Sequence, residues 1–210
     1  MDLLDCGCGP GTMTVELARQ VLPGKTVGFD RAAGQFAESE RVALQEGLPL
    51  TFESGDVTAL PFGDSSFDVV FAHALIEHLA DPAPAVREFA RVLRPNGIIA
   101  FRSPDWGGFV LHPYPADVQQ AIRSYCDLML ANGGDPFAGR KLAALLRDGG
   151  FQDVVSTAAY EVYEDPFLIA EYLAEQLNRT NHMSAQALRD WAHDRDALFA
   201  QAWIEARGRR

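Results

Sequence analysis

Six residue groups in this chain have types and spacings that suit chemistry on a small ligand. The first, Asp5-Cys-Gly7-Cys8-Gly9-Pro-Gly11, sets three glycines at alternate positions, starting two residues after an acid. Such a turn lets a ligand approach the backbone and aims a helix N-terminus at it. The second is Asp30, 19 residues after Gly11, a carboxylate placed to accept both hydroxyls of a ribose. The third is Gly55-Asp56-Val57, where an acid can accept an adenine amino group and the Val57 amide can donate to a ring nitrogen. The fourth is Ala72-His73. The last two are Asp105-Trp106, in a segment rich in Pro, Gly and aromatics, and His112 in the same segment.

The elements that must position these groups follow from apolar runs and turn signals. Residues 2–6 read as a buried strand entering the glycine turn, and 12–22 as a helix ended by Pro23-Gly24. Strands are expected at 26–29, 50–53, 67–71 and 98–101, and helices at 33–46 and 83–93. This alternation predicts right-handed crossovers and a parallel sheet covered on both faces. The first four groups then all stand at carboxyl ends of strands, where open α/β sheets bind ligands. Beyond residue 103 the pattern changes. A loop is expected over 104–115, helices over 116–132, 139–148 and 167–178, and a sixth strand over 154–163. The tail from 185 reads as a helix to about 196, with 198–207 either helix or strand.

The glycine turn lacks the G-x-G-x-x-G dinucleotide fingerprint, because Thr12 stands where the last glycine belongs, and it is not a phosphate loop. A nucleotide-dependent oxidoreductase is therefore disfavoured. Residues Leu4-Asp-Cys-Gly-Cys-Gly-Pro-Gly11, Gly28-Phe-Asp30, Gly55-Asp56, Ala59-Leu-Pro-Phe62, Ser66-Phe-Asp-Val-Val70, Ile76-Glu-His-Leu79 and Leu93-Arg-Pro-Asn-Gly97 resemble the class I S-adenosylmethionine-dependent methyltransferases. The likeness is greatest to the branch of the ubiquinone/menaquinone-biosynthesis enzymes (methyltransferase type 11), and it covers residues 2–103.

The resemblance implies a doubly wound, mostly parallel Rossmann-like sheet with helical lid insertions and an antiparallel C-terminal edge. It implies one domain over 1–210, with a cofactor half at 1–103 and substrate or lid elements at 104–150 and 164–197. S-adenosylmethionine is the implied cofactor and S-adenosylhomocysteine the product. Position by position, Gly7, Cys8 and the Asp5 carboxylate (through water) would serve the methionine amino end, and Gly9 would let the cofactor pass close. Asp30 would hold the ribose, with Arg31 and Gln35 flanking the adenosine; Asp56 and Val57 would read adenine. Ala72 and His73 would face the transferring methyl. Asp105, Trp106 and His112 are the candidates for touching acceptor, and His73 and His112 the weak candidates for catalysis. Glu77 and His78 are read as packing or capping residues, while Tyr114, Tyr125 and Tyr172 are either pocket walls or core. The resemblance also implies a helical segment ahead of the first strand. The chain begins inside that strand, so either a truncated piece or a pocket closed by another element or subunit is expected. A non-catalytic binder of the same cofactor is the rival reading.

Composition bounds the partners. Of 210 residues, 48% are hydrophobic and 22% charged, which is globular composition. The net charge of −11, with only Lys25 and Lys141 for lysine, argues against nucleic acid and anionic membrane surfaces, which need clustered cations. A small-molecule acceptor remains. Three cysteines (Cys6, Cys8 and Cys126) make an odd count, without metal-ligand spacing. Free thiols, no metal and a cytoplasmic location are expected, without insertion into a membrane; a homo-oligomer is left open.

Overall fold

A computed structural model describes residues 1–178 and 182–210. Residues 179–181 of the lid stretch expected over 164–197 lie outside the described residues.

The chain begins β1 (Leu3–Cys6), α1 (Thr12–Val21), β2 (Thr26–Asp30), α2 (Ala37–Glu46), β3 (Leu50–Ser54), β4 (Phe67–His73) and α3 (Ala83–Val92). It continues β5 (Leu93–His112), α4 (Ala116–Ala131), α5 (Leu142–Asp148), β6 (Gln152–Val162), α6 (Pro166–Leu177), α7 (His182–Ala192) and β7 (Leu198–Arg209). Seven strands form one sheet in the order β3-β2-β1-β4-β5-β7-β6. The first five pair in parallel; β7 runs antiparallel between β5 and β6. The expected mostly parallel, Rossmann-like sheet with an antiparallel C-terminal edge is the one observed.

Successive side chains of a strand point to opposite faces. On one face Leu4, Cys6, Val70, Ala72, Ile99 and Phe101 meet α3 and α5 in a buried core. On the other, Asp5 meets Thr14 of α1. A second core joins α4, α6 and α7 to Trp106, Leu111 and Phe199 at the outer ends of β5 and β7. Among the described residues no helix is long and apolar enough to cross a membrane.

Two expectations need correction, and one open reading is decided. The helix expected over 33–46 is a short 3-10 turn (Ala33–Gln35) followed by α2. Phe36 between them is buried, and its ring stacks on Phe52 at 4.9 Å, which re-aims the chain. The segment expected as a 104–115 loop is instead the continuation of β5 to His112, paired with β7 from Leu198 onward. A register shift between Asp105 and Phe109 absorbs the Gly107-Gly108 pair that reads as a breaker. The ambiguous tail resolves as helix α7 and then strand β7.

Candidate functional site

The glycine turn leaves β1 at Cys6 and is tied to β2, because Gly7 and Cys8 donate their amides to the Phe29 carbonyl at 2.7 and 3.2 Å. Gly7, Gly9 and Gly11 all have positive φ. At Gly11 a Cβ would lie 2.4 Å from the Phe52 ring, so glycine there is required by packing. Gly9 differs: a Cβ would meet nothing within 4 Å, so the turn offers open ground above its backbone at that residue. This is the place where a ligand can lie against the chain.

Asp30 ends β2 beside that ground. Its Oδ2 accepts the Gly9 amide at 2.9 Å, while Oδ1 accepts the Ala32 amide at 2.9 Å and the Gln35 side-chain amide at 3.3 Å. The carboxylate thus braces the turn, and carboxylate oxygens retain lone pairs for further donors. Asp5 points away from solvent, with Thr14 Oγ1 donating to it at 2.6 Å. Burial pushes its carboxyl up to about 6, against the Thr14 bond, and the charge of Asp30 adds to the rise. Cys8 is half-buried; burial, then Asp5 and Asp30, push its thiol up to about 12, so it stays protonated.

Beyond β3, Asp56 caps its own loop by accepting from the amide and hydroxyl of Thr58, which hold its carboxyl below the usual range. Arg31 stands 3.7 Å away. The Val57 side chain is buried. The structure therefore brings the Asp5, Gly7, Cys8, Gly9 and Asp30 group together. Arg31, Gln35, Asp56 and Val57 lie at the neighbouring strand ends.

Next to the turn is a cavity of about 360 Å³. Leu75 joins the two: its side chain lies over Gly7, where a Cβ would meet it at 2.9 Å, and the preceding Ala74 lines the cavity. Trp106, Tyr125, Tyr163, Tyr172 and Trp203 supply the aromatic walls, with Met129 and Ile169 between them. Glu77, His78 and Gln201 are the polar lining. Glu77 is 2% exposed, and Ser103 Oγ donates to its Oε2 at 2.8 Å. Burial pushes the Glu77 carboxyl up to about 7, and the same cause holds His78 down. The Tyr125 and Tyr172 hydroxyls meet at 3.0 Å, linking α4 to α6.

The remaining sequence candidates are scattered. Ala72 packs in the first core. His73 stacks on Trp203 at 4.9 Å with its Nδ1 buried and unpartnered, and burial, then Arg102, hold its pKa down. Trp106 is buried and lines the cavity. Asp105 is not among the cavity walls: it accepts from Arg140 Nε at 2.7 Å and Nη2 at 2.6 Å and from two backbone amides. Burial pushes its carboxyl up, but those bonds outweigh burial and hold it below the usual range. His112 is exposed at the outer end of β5, opposite Leu198, and is also absent from the cavity walls. Gln201, Trp203, Tyr163 and Ile169 line the cavity without having been singled out by sequence. No local spacing marks them, because three separate elements deliver them.

Comparison with known proteins bears on the family and the fold. Residues 4–101 match a family model described as a methyltransferase domain. An uncharacterized 37.1 kDa protein from a transposon of Streptomyces fradiae is 34% identical over 205 residues, covering 96% of this chain and 56% of that protein. The ubiquinone/menaquinone biosynthesis C-methyltransferase UbiE of Bdellovibrio bacteriovorus is 39% identical over 95 residues, 45% of this chain and 40% of that protein. The chain thus spans about half the length of these curated relatives. Among solved structures, the YcgJ protein of Bacillus subtilis superposes with a TM-score of 0.68 at 18% identity, over 100% of this chain and 91% of that one, a likeness of fold. On its motifs, its sheet order and these relatives, residues 4–101 form a methyltransferase domain of the class I S-adenosylmethionine-dependent type, similar to the ubiquinone/menaquinone-biosynthesis enzymes.

Proposed function

We propose that this chain transfers a methyl group from S-adenosylmethionine to a small-molecule acceptor by in-line displacement, releasing S-adenosylhomocysteine. The observation that carries the reading is the adjacency of two sites: open backbone over Gly9, braced by Asp30, and an aromatic cavity joined to it through Ala74 and Leu75. In this reading residues 1–103 serve the cofactor, and 104–150 and 164–197 build the acceptor side. The cofactor supplies an already activated methyl group, so the chain mainly positions and excludes water.

The residues present fit that group. The open face of the Gly7-Cys8-Gly9 turn receives the methionine end, and Asp5 holds the turn's first helical residues through Thr14. Asp30 accepts from the ribose hydroxyls, flanked by Arg31 and Gln35. Asp56 and the Val57 amide read adenine. Ala72 and His73 end the strand beside the methyl position, and Trp106 walls the acceptor. The acidic charge and a cavity without Lys or Arg among its lining residues favour a small molecule over nucleic acid.

Calorimetric titration with S-adenosylhomocysteine tests this. Binding is expected for the chain as it stands. Asp30→Ala is expected to weaken binding by about 1.5–3 kcal/mol, the worth of charge-assisted hydrogen bonds. No binding to the unaltered chain sinks the proposal, and unchanged affinity in a folded Asp30→Ala variant moves the ribose elsewhere.

A further inference from the structure

We infer that Glu77 is the general base of the aromatic cavity and that the acceptor is an uncharged, flat molecule bearing an acidic hydroxyl, of phenol or enol type. This rests on the methyl-transfer reading above.

The first support is geometric. Glu77 sits in the 3-10 turn Ile76–His78 that follows β4, lines the cavity and is 2% exposed. Among the described residues no Lys, Arg or His forms an ion pair with it. The Ser103 hydroxyl donates to its Oε2, which leaves acceptor capacity on the carboxylate. A carboxyl buried without a counter-ion is costly to a fold, and in a cavity wall it is a candidate for function. The titratable groups around it are His78 on its own turn, Tyr125 on α4 and, through the paired hydroxyls, Tyr172 on α6. The Tyr125 pKa is raised first by burial and then by Tyr172, with Glu77 adding to the rise, which puts the Glu77 charge within reach of the cavity's hydroxyl pair. Asp135 donates its amide to the Glu77 carbonyl, and its side chain is engaged with Lys141.

The second support is chemical. Among the described residues no Lys or Arg lines the cavity, so it offers no fixed cation to a carboxylate or phosphate. Five aromatic rings favour a planar body, and about 360 Å³ suits a small ring system. An alkyl amine would enter as an ammonium, and a lone carboxylate beside it would hold the proton that the nitrogen must lose. A hydroxyl has the opposite balance. Its proton passes to the Glu77 carboxylate, its oxygen forms the new bond to the methyl carbon, and the carbon–sulfur electron pair returns to sulfur. One anion and one sulfonium cation become a neutral acid, an ether and a thioether, an exchange that surroundings of low polarity favour. His78 is the other nearby base, but burial weakens it as a base and strengthens Glu77.

The test uses the full chain with labelled S-adenosylmethionine and a set of one- and two-ring phenols, each with its matching aniline and benzoate. Phenols are expected to be methylated, with kcat/KM losing activity on the acid side through a pH of about 7. Glu77→Gln is expected to lower kcat by about 100-fold or more, with KM within about threefold and S-adenosylhomocysteine affinity unchanged. Ser103→Ala removes a bond that favours the Glu77 anion, so its acid limb is expected to move to higher pH while activity persists at alkaline pH. That variant carries the test if Glu77→Gln does not fold. Full activity in Glu77→Gln, an unmoved limb in Ser103→Ala, or methylation confined to anilines overturns the inference. Silence from every phenol overturns it too, provided S-adenosylhomocysteine still binds. Absent binding would instead bring down the underlying reading, and this inference with it.

Discussion

At the scale of single residues, two buried acids shape how this molecule responds to pH. Asp5 has its carboxyl pushed from 3.8 to about 6, and Glu77 from 4.5 to about 7, in both cases chiefly by burial. A folded-state pKa above the unfolded value means that each acid binds its proton more tightly in the fold. Its contribution to stability is therefore complete below the unfolded value and is lost as pH rises through about 6 for Asp5 and about 7 for Glu77. These two acids are expected to lower stability between about pH 4 and pH 7, while the lowered His73 and His78 act in the opposite sense. Asp5→Asn keeps an acceptor for the Thr14 hydroxyl while removing the charge. It is expected to flatten part of that fall and to gain about 1–3 kcal/mol at pH 8, from a shift of about two pH units. Urea unfolding at about pH 4 and pH 8 checks this, and an identical change in stability between them in the two proteins would count against it. The place of Asp5 before the glycine turn is legible in the sequence. Its burial against Thr14 is not, because side-chain direction depends on which helix lands on which face.

At the scale of elements, the turn between β1 and α1 is the most tightly specified piece of the chain. Gly11 combines a φ of 85° with a Cβ position occupied by the Phe52 ring of β3. Gly11→Ala adds left-handed strain and overpacking, and is expected to cost about 2–4 kcal/mol in urea unfolding. A loss under about 0.5 kcal/mol would mean that Phe52 moves aside freely. The element hardest to read from sequence is β5. Pro104, Gly107 and Gly108 punctuate it as a loop would, yet pairing with β7 carries the strand across them. Backbone hydrogen bonds to a partner some hundred residues away outweigh local propensity, and nothing near 104–112 announces that partner. The early β/α units were legible because their breaks, caps and apolar periods are all local.

At the scale of the whole molecule, β7 holds the two cores together. It pairs with β5 over both its inner and outer lengths, pairs with β6 on its other side, and lends Ala206 to one core and Phe199 to the other. Ending the chain at residue 197 would strip β5 and β6 of their partner and open both cores. Such a truncation is expected to lose the cooperative unfolding transition, as followed by circular dichroism during thermal melting. A retained sharp transition would show that the first five strands fold without it.

The amino-acid sequence by itself determined the order of strands and helices through residue 103, the glycine turn, and the acids at the strand ends that mark the family. These are features of short reach, written within a few residues by backbone conformation, capping and side-chain alternation. Only the tertiary structure decided what surrounds the acceptor. The cavity takes Ala74 and Glu77 from one crossover, Trp106 from a strand that reads as a loop, Tyr125 and Tyr172 from two helices, and Gln201 and Trp203 from the last strand. Such walls meet because two cores pack around a shared strand, and no spacing along the chain records that meeting. The same physics turned Glu77 from a residue that reads as packing into a buried, unpaired acid facing an aromatic chamber.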